Sequence, residues 1–245
     1  MLARIVDALA PSREDTVVEI GPGRGALTAE LLARAGRVVA IELDGALAAR
    51  LEATYADEPR LTVLAHDALD VPLAAAAGSP EYLVAGNVPY YITTPILFHA
   101  LRAPRPRRAV LLVQREVAER VVAPPGSEAY GALSVNVQAL TVPTMLFTIA
   151  PGAFTPPPGV ESALLRVVPR PEPLVSDAEQ ADYSAFVIAA FGLRRKQMRR
   201  VLRTLWALTP AAADALLAGA GVPADARPEV LTPQQFVDLF RGRVG

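Results

Sequence analysis

Short apolar runs alternate in the first half of the chain with longer segments whose apolar residues recur at helical spacing. The runs are rich in valine, which is typical of strands in a parallel sheet covered on both faces. Because strands and helices alternate, the pattern predicts a doubly wound α/β sheet. The predicted strands are 16–20, 37–42, 61–65, 81–85 and 109–113, and the predicted helices are Gly25–Ala35, Gly45–Tyr55, Pro95–Leu101 and Arg115–Val122.

The pattern changes after Tyr130. Residues 134–149 form a long β-rich run without an intervening helix, and residues 162–168 predict another strand. Two consecutive strands predict a hairpin that closes one edge of a sheet of seven strands. The proline-rich stretch 169–176 can continue neither a strand nor a helix, and only helical patterns follow it. We therefore predict a Rossmann-like domain over 1–170 and a small all-helical domain over 171–245.

Composition excludes several classes of protein and site. The chain has 245 residues, of which 52% are hydrophobic and 20% charged, so it can form a core and is not a disordered protein. It has no cysteine and only two histidines, His66 and His99, so we expect no disulfide, no thiol nucleophile and no metal centre. No apolar run reaches the about 20 residues of a membrane span. We expect a cytoplasmic monomer that binds no membrane.

The net charge of −1 conceals two basic runs that contain no acid, at 102–108 and 194–203. Like charges repel on a helix face, and a polyanionic partner explains why such a run is tolerated. On a helix, Arg195, Arg199 and Arg203 would share one face. The alternative is a solvated surface. The cations that we predict to bind a polyanion are Arg105, Arg107, Arg108, Arg194, Arg195, Lys196, Arg199 and Arg203.

A glycine-rich segment, 19–25, directly follows the first predicted strand. Its glycines allow a ligand to approach the backbone, and the following helix begins with free amides. Gly21, Gly23 and Ala26 fit the dinucleotide fingerprint, whereas Glu19, Gly21, Gly23 and Gly25 fit the nucleoside loop of S-adenosylmethionine (SAM) methyltransferases. Glu42 ends the second strand, where an acid accepts ribose hydroxyls. Asp67 follows the third and can accept an adenine amine, or form a turn; Asp44 we interpret as an exposed strand-end acid. These residues leave NAD and SAM both open.

The segment 86–91, Gly-Asn-Val-Pro-Tyr-Tyr, follows the fourth strand and discriminates between the two cofactors. Methylation of an exocyclic amine requires the nitrogen lone pair, which is delocalised into the purine ring. The Asn87 oxygen and a backbone carbonyl can accept both N–H groups, Pro89 fixes the loop, and Tyr90 offers a stacking face. Phe154, before a proline run, can supply a second face for a flipped base. We predict these four residues to be catalytic.

The sequence resembles the ribosomal RNA adenine N6-dimethyltransferases, because these motifs occur in the same order as in that family. The resemblance extends over nearly the whole chain, from Val17 to Thr232. PYYITTPIL, YGALSV and the RRK-bearing tail resemble most the branch that acts on small-subunit (16S) rRNA. The matching segments are VVEIGPGRGALT, AIELD, HDAL, GNVPYYITTPIL, VQREVAERV, YGALSVNVQ, FTPPPGVESALLRVVP, FGLRRKQMRRVL and PADARPEVLT.

The resemblance implies a seven-stranded SAM-dependent methyltransferase sheet with SAM contacts from Gly21, Glu42, Asp67 and Asn87. It also implies a small-subunit rRNA substrate with two adjacent adenines dimethylated near the 3′ end, and an RNA-binding helical tail. Family members usually have leucine where Val88 stands, and an N-terminal Gln-Asn-Phe segment over SAM; the sequence begins near the helix that precedes the first strand. The alternatives are a large-subunit (23S) rRNA methylase of the antibiotic-resistance type, a non-catalytic ribosome assembly factor and an NAD oxidoreductase.

Overall fold

The computed structural model describes residues 1–88, 92–153 and 159–243. A seven-stranded sheet is the centre of the fold, with the strand order β3-β2-β1-β4-β5-β7-β6. The strands are β1 (Thr16–Ile20), β2 (Arg37–Glu42), β3 (Leu61–Ala65), β4 (Leu83–Asn87), β5 (Arg108–Gln114), β6 (Thr141–Ile149) and β7 (Ser162–Pro169).

Strands β1 to β5 are parallel where they pair, and β7 runs antiparallel to β5. The prediction of an α/β sheet whose last two strands lie at one edge is confirmed. The carboxyl ends of β1, β2, β3 and β4 meet at one edge of the sheet. This is the edge at which open α/β sheets bind their ligands.

Eleven α-helices are present in the described residues, and the first seven lie before or between the strands. The helices are α1 (Leu2–Leu9), α2 (Ala26–Leu32), α3 (Gly45–Thr54), α4 (Leu73–Ala77), α5 (Thr93–Ala100), α6 (Arg115–Val122), α7 (Ala132–Leu140), α8 (Gln180–Gly192), α9 (Met198–Trp206), α10 (Pro210–Gly219) and α11 (Pro233–Gly242). No single helix in the described ranges is long and apolar enough to cross a membrane; α9 and α10 together have a suitable length and composition but are bent by 119°.

The structure corrects the prediction of an uninterrupted β-run over 134–149. Residues up to Leu140 form α7, and only Thr141–Ile149 is a strand. The sequence Val135-Asn136-Val137-Gln138 alternates like a strand, but nearly the whole of α7 is buried, so the helix lacks the polar face that reveals helical periodicity. The Asn136 amide donates to Ala132 O one turn earlier, at 2.9 Å, and therefore needs no solvent-facing side.

The chain divides into two compact units, 1–118 with 143–169 and 119–142 with 170–245. The sequence places every residue up to 170 in the first domain, whereas the contacts group 119–142 with the helical C-terminal residues. Two long-range hydrogen bonds contribute to this grouping: the Gln138 carbonyl accepts from Arg170 Nε at 2.7 Å, and Leu174 N donates to Ala139 O at 2.9 Å. Helix α7 thus packs with the tail that follows the last strand.

Each unit has its own apolar core. In the first, Ile5 and Leu9 of α1 and Leu31 of α2 are fully buried against valines and leucines of the parallel strands. In the second, aromatic rings pack together, and the buried Tyr130 hydroxyl donates to Leu231 O at 2.7 Å. The ring pairs of the second core are Tyr130–Phe191, Tyr183–Phe240, Phe186–Trp206, Phe186–Phe236, Phe186–Phe240 and Phe191–Phe236.

Candidate functional site

The loop between β1 and α2 depends on glycine for its conformation. Gly21 has φ +70°, and a Cβ there would lie 3.7 Å from the backbone oxygen of Asn87. Gly25 has φ +83°, and a Cβ there would lie only 2.6 Å from Leu51 Cδ1. Both positions favour glycine because φ is positive, and at Gly25 a side chain would also require Leu51 to shift. The β1 loop and the end of β4 consequently lie side by side.

Glu42, the last residue of β2, is held by two backbone amides. Its Oε2 accepts from Gly23 N at 2.9 Å and its Oε1 accepts from Asp44 N at 3.0 Å. The residue is 8% exposed. Because a carboxylate has about four acceptor positions, Glu42 can accept further donors without releasing either amide.

Two other acids have structural partners of their own. Asp44 caps α3, since its Oδ1 accepts from Ala46 N at 2.8 Å and Leu47 N at 3.1 Å. Its position agrees with the interpretation of Asp44 as an exposed acid at a strand end. Asp67 follows β3, and its Oδ1 accepts from Leu69 N at 2.9 Å. That bond forms an Asx turn, which orients the carboxylate at the sheet edge.

A cleft of about 470 Å³ opens at the carboxyl ends of β1, β2 and β3. It brings together Gly21, Glu42 and Asp67 of the predicted cofactor residues, whereas the other four, Glu19, Gly23, Gly25 and Asn87, do not line it. Leu43, 63% exposed, and Ile92 add apolar surface that the sequence interpretation did not include. In the sequence, the position of Leu43 directly after Glu42 is the signal that could have identified Leu43 as a cleft residue. The lining residues are Ile20, Gly21, Ile41, Glu42, Leu43, Asp44, Asp67, Ala68 and Ile92.

Glu19 is buried next to the loop. It is 1% exposed, its Oε2 accepts from Thr28 Oγ1 at 2.7 Å, and its Oε1 has no hydrogen-bond partner among the described residues. Burial raises the pKa of this carboxyl to about 7; the Thr28 hydroxyl opposes the rise and the nearby charge of Glu42 adds to it. Glu19 is thus a carboxyl with an unsatisfied oxygen that titrates near neutrality.

Asn87 is the last residue of β4 and is exposed, while its neighbour Val88 is buried. The strand was predicted to end at residue 85; it extends two residues further, so the sheet itself holds Asn87. Its register partner in β5 is Leu112. The predicted catalytic residues Pro89, Tyr90 and Phe154 lie outside the described residues.

The first basic run, 102–108, makes several contacts within its own unit. Arg107 forms ion pairs with Asp15 and, at 3.4 Å, with Glu81, and Arg108 Nη1 donates to Leu9 O at 2.7 Å. Arg105 is half-buried. The acidic partners of Arg107, Asp15 and Glu81, lie far from this run in the sequence. The run therefore contains no acid, although the folded protein pairs one of its arginines with two acids.

The structure corrects the proposed helical face in the second run. Arg194, Arg195 and Lys196 lie in the turn between α8 and α9, so Arg195 does not share a helix face with Arg199 and Arg203. A run of turn residues interrupts the helical spacing at 193–197, because α8 ends at Gly192 and α9 begins only at Met198.

Two cations of this run have acidic partners in the C-terminal unit. Arg194 Nε lies 3.3 Å from a Glu229 carboxylate oxygen, and Arg199 Nη2 lies 2.6 Å from Asp214 Oδ2. Arg195 and Arg203 are exposed. Arg203 lines an open groove of about 620 Å³ with polar side chains at its edges, bordered by Gln197, Arg199, Arg200, Arg203, Thr204, Ala207 and Leu208.

Comparison with known proteins gives one consistent family. The family model described as ribosomal RNA adenine dimethylase matches residues 1–241. The chain is 45% identical to ribosomal RNA small subunit methyltransferase A of Bordetella pertussis, over 96% of this chain and 86% of that protein. It is 41% identical to the protein of the same name in Xylella fastidiosa, over 98% of this chain and 89% of that one.

Two crystal structures share the architecture over nearly the full length of both chains. The 23S rRNA methyltransferase ErmE is 28% identical with a TM-score of 0.76, over 100% of this chain and 97% of its own. A dimethyladenosine transferase from Plasmodium falciparum is 24% identical with a TM-score of 0.83, over 99% and 96%, and shows the shared fold. The family match over almost all of the sequence, together with these relatives, establishes that the chain belongs to the ribosomal RNA adenine dimethylase family.

Proposed function

We propose that the protein is a SAM-dependent methyltransferase that converts two adjacent adenines near the 3′ end of small-subunit rRNA to N6,N6-dimethyladenosine. The observation that carries this proposal is the cleft at the carboxyl ends of β1, β2 and β3, which brings Gly21, Glu42 and Asp67 together at the end of the strand that pairs with β4 and at the ends of its neighbours. The relatives at 41% and 45% identity support the choice of the small subunit.

The residues of the cleft fit SAM. Glu42 keeps acceptor positions for the ribose hydroxyls while it holds the backbone amides of Gly23 and Asp44. Asp67, at the next strand end, can accept the adenine amine, and Leu43 and Ile92 provide apolar surface for the purine ring. When bound, SAM supplies an electrophilic methyl group on a sulfonium. The protein's part is to hold this cofactor and to present an amine to it.

The proposed role of Asn87 is to position the target amine. Its exposed side chain ends β4, so the amide oxygen can accept one N–H of the adenine amine while a backbone carbonyl accepts the other. Two such bonds draw the nitrogen lone pair out of the ring and orient it toward the methyl donor. No general base is required before transfer. Pro89, Tyr90 and Phe154 would complete this pocket as loop and stacking residues.

We propose that the exposed cationic side chains of the C-terminal unit bind the RNA. Arg195, Lys196 and Arg203 carry no acidic partner in the contacts described above, whereas Arg194 and Arg199 are paired with acids. A partly neutralised cation contributes less to counterion release than an exposed one. We therefore assign the larger share of phosphate binding to Arg195, Lys196 and Arg203, and a bracing role to Arg194 and Arg199.

The large-subunit alternative is favoured by one observation, the similarity to ErmE. The curated small-subunit relatives are more similar in sequence, at 41–45% against 28% identity. The two functions differ in the modified nucleotide, so mapping the methylated position separates them.

The decisive experiment is transfer of labelled methyl groups from SAM to small ribosomal subunits that lack the modification, with large subunits as the parallel substrate. The wild-type protein should label two adjacent adenines of the small subunit only. Asn87→Ala should abolish transfer, because the amine loses an acceptor, while calorimetry shows nearly unchanged SAM binding. Transfer by Asn87→Ala at the wild-type rate would contradict the positioning role, and labelling of the large subunit would select the alternative.

A further inference from the structure

Glu19 lies deeper than any other carboxyl at this edge of the sheet. It is the fourth residue of β1, in register with Ala40 of β2 and Ala85 of β4. Thr28 satisfies one oxygen, and the other is buried without a hydrogen-bond donor among the described residues. A buried carboxylate normally has donors for both oxygens. The described residues therefore stabilise the ionised form of Glu19 poorly.

The elements packed around Glu19 offer no compensating cation at this end of the strands. Strand β2 contributes Glu42, while its arginine, Arg37, lies at the opposite end in register with Thr16. Helix α2 contributes Thr28 and a half-buried Glu30. Helix α4 and strand β4 carry no titratable side chain, and Arg24 of the loop is exposed. Glu19 therefore faces like charge from Glu42 and low-polarity surroundings elsewhere.

Burial and the charge of Glu42 keep the pKa of Glu19 near 7, so the carboxyl is about half protonated at neutral pH. A positive charge that enters the neighbouring cleft favours the ionised form, and the attraction is strong where the surroundings exclude water. SAM carries one more positive charge than S-adenosylhomocysteine, the product that remains after transfer, because only SAM has a sulfonium. The two forms of the cofactor therefore act differently on the same carboxyl.

We propose that binding of SAM expels a proton from Glu19 into solvent, and that the ionised Glu19 makes the site prefer SAM over S-adenosylhomocysteine. The inference rests on the proposed function, since it takes SAM as the cofactor. After each transfer the positive charge leaves the sulfur, Glu19 regains its proton, and the spent cofactor is held less tightly. Such a change assists exchange between the two rounds of methylation that dimethylation requires.

The first test is calorimetry of SAM binding at pH 7 in buffers of different ionisation enthalpy, which reports the number of protons released. The wild-type protein should release about 0.5 proton per SAM more than Glu19→Gln, which cannot ionise. Protons from the ammonium of SAM itself contribute equally to both proteins and cancel. Glu30→Gln, which removes a carboxyl from the same helix as Thr28, should release as many protons as the wild type.

The second test uses the pH dependence of affinity. Between pH 6 and pH 8 the Kd for SAM should fall about five- to tenfold more in the wild type than in Glu19→Gln, and S-adenosylhomocysteine should show little of this difference. Thr28→Val removes the hydrogen bond that stabilises the carboxylate, so the midpoint should move to higher pH. Thr28→Ser keeps the bond and should restore the wild-type curve. The carboxyl 13C resonance of Glu19 gives the same midpoint directly.

The outcomes separate this inference from the proposed function. If SAM binds and the wild type and Glu19→Gln release equal numbers of protons, the role of Glu19 is wrong and the methyltransferase proposal stands. If SAM does not bind, the proposed function fails first. Should Glu19→Gln not fold, an unchanged midpoint in Thr28→Val would by itself overturn the inference.

Discussion

The buried Glu19 should make the ligand-free protein less stable as pH rises, and Glu19→Gln removes this penalty. In the folded protein the pKa is about 7, against an ordinary value of 4.5. The unfolded chain therefore loses its proton first. Stability contributed by protonated Glu19 is complete below pH 4.5, declines between 4.5 and 7 and is absent above. At 1.36 kcal/mol per pH unit, the full loss is about 3 kcal/mol.

Glutamine has the same shape as the protonated acid and leaves a donor in the same unpartnered position. Relative to the wild type, Glu19→Gln should therefore gain about 1 kcal/mol at pH 5 and about 3 kcal/mol at pH 8. Urea unfolding followed by circular dichroism, without cofactor, measures the free energy of unfolding at both values. Glu30→Gln controls for the loss of a negative charge. A difference between Glu19→Gln and wild type that is the same at pH 5 and pH 8 would refute the titration of Glu19.

The other predictions concern the strand pair beneath the loop and the RNA-binding surface. A Cβ at Gly86 would lie 2.8 Å from Ile20 O, so Gly86→Ala should cost about 2 kcal/mol in urea unfolding, whereas Gly45→Ala, with open space around it, should cost little. Arg195→Ala combined with Arg203→Ala should weaken RNA binding and flatten the dependence of log Kd on log salt by about 1.5. An unchanged slope would remove these arginines from the interface.

The sequence predicts the sheet well because its strands are short, valine-rich and separated by clear helical patterns. It fails at α7, where Val135 and Val137 alternate with Asn136 and Gln138, because the packing that buries all sides of this helix comes from residues far along the chain. Local periodicity carries no information about such distant partners.

In the candidate site, too, some features could be predicted from the sequence and others depend on contacts between distant residues. The proximity of Glu42 and Asp67 could be predicted because the carboxyl ends of neighbouring parallel strands meet at one edge, and both residues line the cleft there. The protonation of Glu19 could not be predicted, because it depends on tertiary burial and on a hydrogen bond from Thr28, nine residues away on another element. The pairing of Arg199 with Asp214 is likewise invisible in a run that appears acid-free. The tertiary fold determines which acid each arginine pairs with, and the sequence shows only that the arginines are clustered.

The two halves of the proposed chemistry depend on a single strand pairing. Ile20 and Gly86 are register partners, and the missing side chain at Gly86 lets β4 lie close against Ile20 O. One residue further on, the backbone of Gly21 lies beside the Asn87 carbonyl. The proposed cofactor loop and the proposed amine-positioning residue, Asn87, therefore both lie next to the backbone pairing of β1 with β4. Transfer of a methyl group requires the amine and the donor in one fixed geometry, and we propose that the pairing of β1 with β4 supplies it.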